Sequence, residues 1–381
     1  MIRWIEPPAL PVTRGSGRIL TARIQFPPAG FTRGDDEHVT IREIAEKAGV
    51  SIGTVDRVLH NRGRFSEGTA ARVRKVIAEA GFRPNPIASQ LSRSAVLRVS
   101  VLLPHPHQDS SYWEIPLSGM RRAERELSRY NATVTVHHFD RYLPGDFERA
   151  SEELLQAEYD ACIVTPLSPE PAMRFVEHLP QEIPVVLVDT ELPSPTRAAF
   201  IGQDSRQSGR LAAKLMRMLT GGGQALVVGP VAENPHLDDR IAGFTEAYGE
   251  TARILRVSIE LDLERSRLFE RLDEEISEDV TGVFVVDASV HFAAEYVAQR
   301  FGSARRPGLI GFDLVPENRK MLAEGKVDFI LTQRPVEQGY RAVMRLFRAV
   351  VLSEPIPRRE FTPIDIVTQE NDEYFVEWEN V

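Results

Sequence analysis

Short apolar runs alternate with helix-like segments along residues 97–368, and this alternation constrains the fold more than any other feature. Strands that alternate with helices form parallel sheets joined by right-handed crossovers. The predicted strands are 98–104, 133–139, 161–165, 185–189, 225–229, 282–287, 308–312 and 329–332. The predicted helices are 117–130, 146–157, 204–219, 237–250, 264–276, 289–301 and 335–352. Because more than 270 residues is long for one such sheet, we expect two α/β lobes with a cleft. The chain should cross between them near 190–205, 313–317 and 330–335.

Residues 39–59 predict two short helices separated by a tight turn, which is a helix-turn-helix. Thr40 and Glu43 have the spacing of a capping box, and Gly49 suits the left-handed conformation that ends a helix. Ser51 can cap the second helix, and Ser66 can cap a third. A three-helix bundle without a role in DNA binding is the alternative.

Charge is distributed unevenly along the chain. Residues 38–98 hold 11 Lys and Arg against 5 Asp and Glu, a net charge of +6. Residues 99–381 hold 30 against 46, a net charge of −16, within a chain of net charge −9. A basic segment followed by an acidic one indicates that residues 38–98 alone bind phosphate groups.

The residues and short segments that extend this motif are Ile44-Ala45, Ala48-Gly49-Val50-Ser51, Thr54-Val55, Arg57-Val58-Leu59, Asn61, Pro84-Asn85, Ala88 and Leu91. With them, residues 38–370 resemble the lactose-repressor (LacI/GalR) family of bacterial transcription regulators. The resemblance implies a hinge at Pro84-Asn85 and a leucine, Leu91, that wedges into the minor groove of operator DNA. The DNA-binding residues it implies are Thr40, Ser51, Ile52, Gly53, Thr54, Arg57, Asn61, Asn85, Ala88 and Leu91. Leu91 as an ordinary linker residue is the alternative.

The reading face departs from the family pattern at Ile52, Gly53 and Asp56. A glycine cannot read a base edge, so hydrogen-bond readout falls to fewer side chains, such as Thr54 and Arg57. The operator sequence therefore stays open.

Polar residues follow the predicted strands where a ligand of an open parallel sheet would sit. Carboxylates accept hydrogen bonds from adjacent hydroxyls, and arginine donates them in a fixed fork. The family resemblance implies a type I periplasmic-binding-protein fold whose cleft holds a sugar or polyol. The predicted effector-binding residues are Ser110, Tyr112, Trp113, Asp189, Arg240, Asp287, Asp313 and Gln333. The alternatives are helix caps or turns for the aspartates and core packing for Tyr112 and Trp113.

Several classes of protein are disfavoured. The single cysteine, Cys162, cannot form an intrachain disulfide or a cysteine metal cluster, and is expected to be buried. Three aspartates at one cleft could chelate a cation, but Arg240 among them argues against it. The sequence carries no phosphate-binding loop, nucleophile elbow or zinc-protease motif, so we expect no enzyme, no cofactor and no metal. It also has no apolar run of membrane-spanning length and no signal-peptide core near its start.

We therefore predict a small all-α helix-turn-helix domain followed by an α/β two-lobed domain of the periplasmic-binding-protein type. The predicted boundaries are 1–37 for a disordered extension, 38–83 for the DNA-binding domain, 84–96 for the hinge, 97–370 for the effector-binding and dimerisation domain, and 371–381 for a tail. The expected function is a cytoplasmic homodimeric regulator that binds palindromic operator DNA and responds to a small-molecule effector. The alternative is a sugar-binding receptor, cytoplasmic or exported, without a transcriptional role.

Overall fold

The computed structural model describes residues 41–59, 65–80, 97–193, 197–231, 234–257, 265–302 and 306–375. The chain divides into two compact units, with the boundary between Pro84 and Asn85. Each unit is considered by itself below. None of the described helices has the length and apolar character needed to cross a bilayer.

The first unit contains helices α1 (Ile41–Ala48), α2 (Ile52–Leu59) and α3 (Glu67–Glu79). Its core consists of buried side chains from all three: Ile44, Ala45, Ala48, Val55, Val58, Ala70 and Val73. Gly49 has a φ of +64° and ends α1, as predicted. The backbone amides of Thr54 and Thr69 donate to the side-chain oxygens of Ser51 and Ser66, each at 3.2 Å. Both predicted caps are therefore confirmed.

The second unit begins with a six-stranded sheet in which the paired strands are parallel. Its strands are β1 (Leu97–Pro104), β2 (Ala132–Phe139), β3 (Ala161–Val164), β4 (Val185–Val188), β5 (Ala199–Gly202) and β11 (Arg359–Phe361). The strand order is β11-β5-β4-β3-β1-β2. The helices of this first lobe are α4 (Glu114–Leu127), α5 (Asp146–Gln156), α6 (Pro169–His178) and α12 (Pro335–Leu352). Cys162 lies on β3 and is buried, as predicted.

A second six-stranded sheet forms the other lobe. Its strands are β6 (Gln224–Gly229), β7 (Ala252–Arg256), β8 (Val280–Val285), β9 (Gly308–Phe312), β10 (Phe329–Thr332) and β12 (Asp365–Val367). The strand order is β12-β10-β9-β8-β6-β7, and only β12 pairs antiparallel among these described strands. Its helices are α7 (Ser205–Thr220), α8 (Pro235–Tyr248), α9 (Arg265–Glu275), α10 (Val290–Phe301) and α11 (Pro316–Ala323). The predicted two-lobed α/β fold is confirmed.

The chain passes between the lobes at 203–204, 333–334 and 362–364. The first and second crossings lie within the predicted ranges 190–205 and 330–335. The crossing predicted near 313–317 is wrong, because β9, α11 and β10 all belong to the second lobe. Pro316 begins a helix there rather than a linker. The crossing at 362–364 was missed, since the three-residue strands on either side carry no continuous apolar run.

In each lobe a pair of helices makes backbone contact through glycine. A Cβ atom on Gly119 of α4 would overlap the carbonyl of Val336 on α12. A Cβ atom on Gly209 of α7 would overlap the carbonyl of Arg240 on α8. These close approaches fix α12 and α8, which carry polar side chains described in the next section, against their own lobes.

Candidate functional site

A cavity of about 480 Å³ lies between the two lobes, beyond the carboxyl ends of the parallel strands. Its lining contains all eight predicted effector-binding residues: Ser110, Tyr112, Trp113, Asp189, Arg240, Asp287, Asp313 and Gln333. The volume lies within the usual range for small-molecule sites. The structure thus brings these residues together, while their role in binding an effector stays a prediction.

The deepest part of the cavity is a hydrogen-bond network that joins the lobes. The Tyr112 hydroxyl of the first lobe donates to Asp189 Oδ1 at 2.9 Å. Gln333 Nε2, at the second crossing, donates to the Tyr112 oxygen at 2.8 Å and to Asp313 Oδ2 of the second lobe at 3.2 Å. Gln338 of α12 supports this network, since its Nε2 donates to the Gln333 carbonyl at 2.9 Å. All five residues are buried.

Asp189 and Asp313 end their strands in the left-handed backbone region, with φ values of +68° and +60°. Among residues with a side chain, aspartate and asparagine adopt this region most readily. Burial raises the pKa of the Asp313 carboxyl to about 7, although the nearby Arg240 guanidinium opposes the shift. Burial also raises the pKa of Tyr112 well above its ordinary value, so its hydroxyl stays protonated as a donor.

Arg240 of α8 is 1% exposed and brings a cation to this network. Its Nη1 donates to the Val286 carbonyl at 2.8 Å, and its guanidinium lies 3.6 Å from the centroid of the Phe312 ring. Burial lowers its pKa, and the carboxyl groups of Asp313 and Asp189 oppose that shift. Among the described residues, its Nε and Nη2 have no hydrogen-bond partner.

Other buried polar atoms of the cavity lining also lack partners in the described chain. These are Asp313 Oδ1 and both amide atoms of the Asn234 side chain. An unsatisfied buried polar group costs about 1–3 kcal/mol, so such groups call for an explanation wherever they occur. The lining of this one cavity therefore leaves both donors and acceptors unpaired. A ligand rich in hydroxyl groups would satisfy both kinds of atom.

The mouth of the cavity contains residues that the sequence analysis missed. The Asp109 carboxylate accepts from Trp113 Nε1 at 2.6 Å, from Arg141 Nη1 at 2.7 Å and from the Tyr142 hydroxyl. The sequence pattern could have predicted Arg141 and Tyr142 as site residues, because residues 140–142 directly follow β2 just as Asp189 follows β4. Asp109 lies in a turn of three successive residues with positive φ, which no local pattern predicted.

His236 was also missed, and it links the lobes across the cavity. Its Nδ1 lies 2.9 Å from the Thr190 hydroxyl and 3.6 Å from Asp189 Oδ2. Burial lowers the pKa of His236 to about 4, although Asp189 opposes the shift. The imidazole is therefore neutral at pH 7, and its contact with Thr190 is a hydrogen bond between uncharged groups.

The predicted DNA-reading surface of the first unit lies on α2. Ile52 is 46% exposed, and the side chain of Arg57 is exposed as well. Arg57 Nε donates to the Gly53 carbonyl at 3.0 Å, and its Nη2 donates to Thr54 Oγ1 at 3.3 Å. The side chain thus lies along its own helix turn. The predicted residues Thr40, Asn61, Asn85, Ala88 and Leu91 fall outside the described residues, as do the extension 1–37 and the whole of the predicted hinge 84–96.

Fold and site together define a class: a helix-turn-helix unit joined to a two-lobed binding protein with a polar interlobe cavity. Residues 40–85 match the model of the lacI family of bacterial regulatory proteins, and residues 101–351 match that of a periplasmic binding protein domain. The chain belongs to the periplasmic-binding-protein domain family and carries a lacI-family DNA-binding domain over residues 40–85. It is a DNA-binding transcriptional regulator and not an enzyme, as predicted.

The chain is 27% identical to the ribose operon repressor of Halalkalibacterium halodurans over 286 residues, which are 73% of this chain and 81% of the repressor. A solved structure from Bacteroides fragilis, described as a LacI transcriptional regulator, matches with a TM-score of 0.67 and 27% identity. That match covers 74% of this chain and 99% of the other. The lac repressor dimer bound to operator and the anti-inducer ONPF matches with a TM-score of 0.60 and 20% identity, over 87% of this chain and 98% of the other, which shows a shared fold.

Proposed function

We propose that the cavity binds a neutral sugar or polyol and that this ligand changes the affinity of the helix-turn-helix unit for operator DNA. The eight predicted lining residues would contact the ligand. The exposed side of α2, with Ser51, Thr54 and Arg57, would contact the DNA. The protein would act in the cytoplasm as a homodimer on a palindromic operator, because a two-fold dimer presents two equivalent reading units.

One observation carries the ligand assignment. Arg240 leaves two donor groups without partners in the described chain, and Asp313 leaves an acceptor oxygen, all lining the same cavity. A hydroxyl group both donates and accepts, so a polyhydroxylated molecule satisfies both kinds of atom at once. The ribose operon repressor among the relatives supports a sugar in this role.

Ligand control of DNA binding requires that the ligand prefer one of two conformations. The cavity meets the structural condition for this, because its lining comes from both lobes and the chain crosses between them three times in the described residues. A ligand that bridges the lobes therefore favours the closed arrangement over an open one.

A thermal-shift screen tests the proposal. We expect at least one neutral sugar or polyol to raise the melting temperature, since a ligand at 100 times its Kd stabilises by about 2.7 kcal/mol. Arg240→Met should abolish that shift. The matched control is Arg217→Met, which also removes an arginine stacked on an aromatic ring, that of Tyr248, but outside the cavity. It should keep the shift.

The second half of the test measures DNA binding. A duplex selected from a random library should bind with an affinity that changes when the stabilising sugar is added, and Arg240→Met should remove that response. A screen in which only phosphorylated or nucleobase compounds stabilise the protein would contradict the proposal. So would a sugar that stabilises the protein without changing DNA affinity.

A further inference from the structure

We propose that the cavity holds two adjacent sugar subsites, so that its ligand is a neutral disaccharide or glycoside rather than a single ring. This inference rests on the proposed function and names the size and charge of the ligand. The inner set, Arg240 and Asp313, forms one subsite. The outer set, Arg141 and Asp287, forms the second at the mouth.

The two sets offer the same chemistry at different depths. In the inner set, Arg240 contributes the unpaired donors Nε and Nη2, and Asp313 contributes the unpaired acceptor Oδ1. In the outer set, Arg141 uses Nη1 to hold Asp109, and its Nε and Nη2 have no partner in the described chain. Ser289 donates to Asp287 through its amide and its hydroxyl, both to Oδ1, which leaves Oδ2 unpaired within the described residues.

Exposure separates the two sets. Both members of the inner set are buried, at 1% and 3% exposed. The Arg141 side chain is 15% exposed, and the neighbouring Tyr142 is 36% exposed. The outer set also draws one residue from each lobe, since Arg141 follows β2 of the first lobe and Asp287 follows β8 of the second. A group bound there would therefore bridge the lobes at the mouth.

The volume of the cavity exceeds what one ring needs. A hexose has about 12 heavy atoms. Each heavy atom occupies less volume than a whole water molecule, which takes about 30 Å³, so one hexose ring needs less than about 360 Å³. The cavity measures about 480 Å³. The cavity lining also contains two further aromatic side chains, Tyr142 and Phe292, which suit the C–H face of a second ring.

The charge of the outer subsite excludes an acidic or phosphorylated tail. Arg141 supplies one positive charge, and Asp109 neutralises it through a 2.7 Å ion pair. Asp287 adds a further carboxyl with Ser289 as its hydrogen-bond partner. An anionic group would meet more negative than positive charge here, whereas neutral hydroxyls can pair with Arg141 and Asp287 together.

Isothermal titration of the full chain tests the inference, with glucose, galactose and ribose compared with maltose, cellobiose, lactose and sucrose. We expect one disaccharide to bind at least tenfold more tightly than any of the three monosaccharides. Arg141→Met and Asp287→Asn should each remove most of that gain, because each should weaken binding of the disaccharide by a larger factor than binding of the monosaccharide. Asp287→Asn keeps the shape of the side chain, so it covers the case in which Arg141→Met disturbs the fold.

The outcomes separate the two proposals. If a monosaccharide binds and no disaccharide binds more tightly, the two-subsite inference is overturned and the sugar-binding function stands. The same holds if a disaccharide binds more tightly but both outer variants bind it as the wild type does. If no sugar of either size binds, the proposed function itself fails.

Discussion

The helix-turn-helix unit and the interlobe cavity differ in how far apart along the chain their contacting residues lie. On α2 the side-chain hydrogen bonds join residues three or four positions apart, such as Arg57 with Gly53. In the cavity, Tyr112 contacts Asp189, 77 positions away, and Gln333, 221 positions away. The first site is a surface built by one helix, and the second exists only when two lobes are assembled.

This difference predicts where a substitution acts. A change on the reading surface should alter DNA binding with little effect beyond its own helix. A change in the cavity should alter the balance between the lobes as well as ligand contacts, because the same side chains do both. Both regions depend on a buried core, but the core of the small unit has only seven buried hydrophobic side chains among the described residues.

The largest expected effect tests that small core. Ile44→Ala should cost about 2–5 kcal/mol, as removal of a buried isoleucine does elsewhere, and a domain this small has little stability to spare. We expect DNA affinity to fall more than tenfold in a fluorescence anisotropy assay, while sugar binding stays at the wild-type level. Val76→Ala, at a half-buried position of α3, is the milder control. If Ile44→Ala bound DNA with wild-type affinity, DNA binding would not depend on the small core as this comparison of the two regions requires.

The second prediction concerns pH and belongs to the cavity. The folded-state pKa of Asp313 is about 7, above its ordinary value of 3.8. Between these values the folded protein binds the extra proton, so the contribution of this carboxyl to stability falls as pH rises from about 4 to about 7. Asparagine keeps the left-handed backbone and does not titrate. Relative to wild type, the stability of Asp313→Asn should increase by about 2–3 kcal/mol between pH 5 and pH 8.

Urea denaturation of the ligand-free protein at the two pH values measures this difference. Asp189, Asp287 and Arg240 also act on the Asp313 carboxyl, so the Asn variant must be compared with wild type under each condition. A stability difference that is the same at pH 5 and pH 8 would show that burial does not hold this carboxyl protonated.

The smallest effect separates stability from DNA recognition on α2. A Cβ atom at Gly53 would meet only Ser51 Oγ, at 3.9 Å, so alanine fits without a clash. Gly53→Ala should raise the stability of the unit by about 0.5–1 kcal/mol, because glycine disfavours a helix interior. If Gly53 lets DNA approach α2 closely, the same variant should bind DNA less tightly. Thermal melting and anisotropy measure the two effects, and unchanged DNA affinity would place Gly53 away from the DNA.

The same contrast explains what could be predicted from the sequence. The helix caps and the strand-end residues Asp189, Asp287 and Asp313 follow local patterns, and all fall where the patterns place them. Arg141 also lies just after a strand, β2, so the pattern that predicted the three aspartates applies to it as well. His236 and Asp109 had no local pattern, since their partners Thr190 and Arg141 lie 46 and 32 positions away. The crossing at 362–364 also had no local pattern. The three-residue strands on either side of it, β11 and β12, are recognised only from their pairing with the distant strands β5 and β10.

The left-handed backbone at Asp189 and Asp313 limits how this cavity could acquire a new ligand. At those two positions asparagine and glycine are the replacements that the main chain accepts without strain, so a wider choice of side chains would distort the strand ends. The backbone of Asp287 and His236 lies outside the left-handed region. Variation at these positions is therefore the less costly route to a sensor for a different sugar, and a library that leaves both left-handed aspartates in place should retain more folded members.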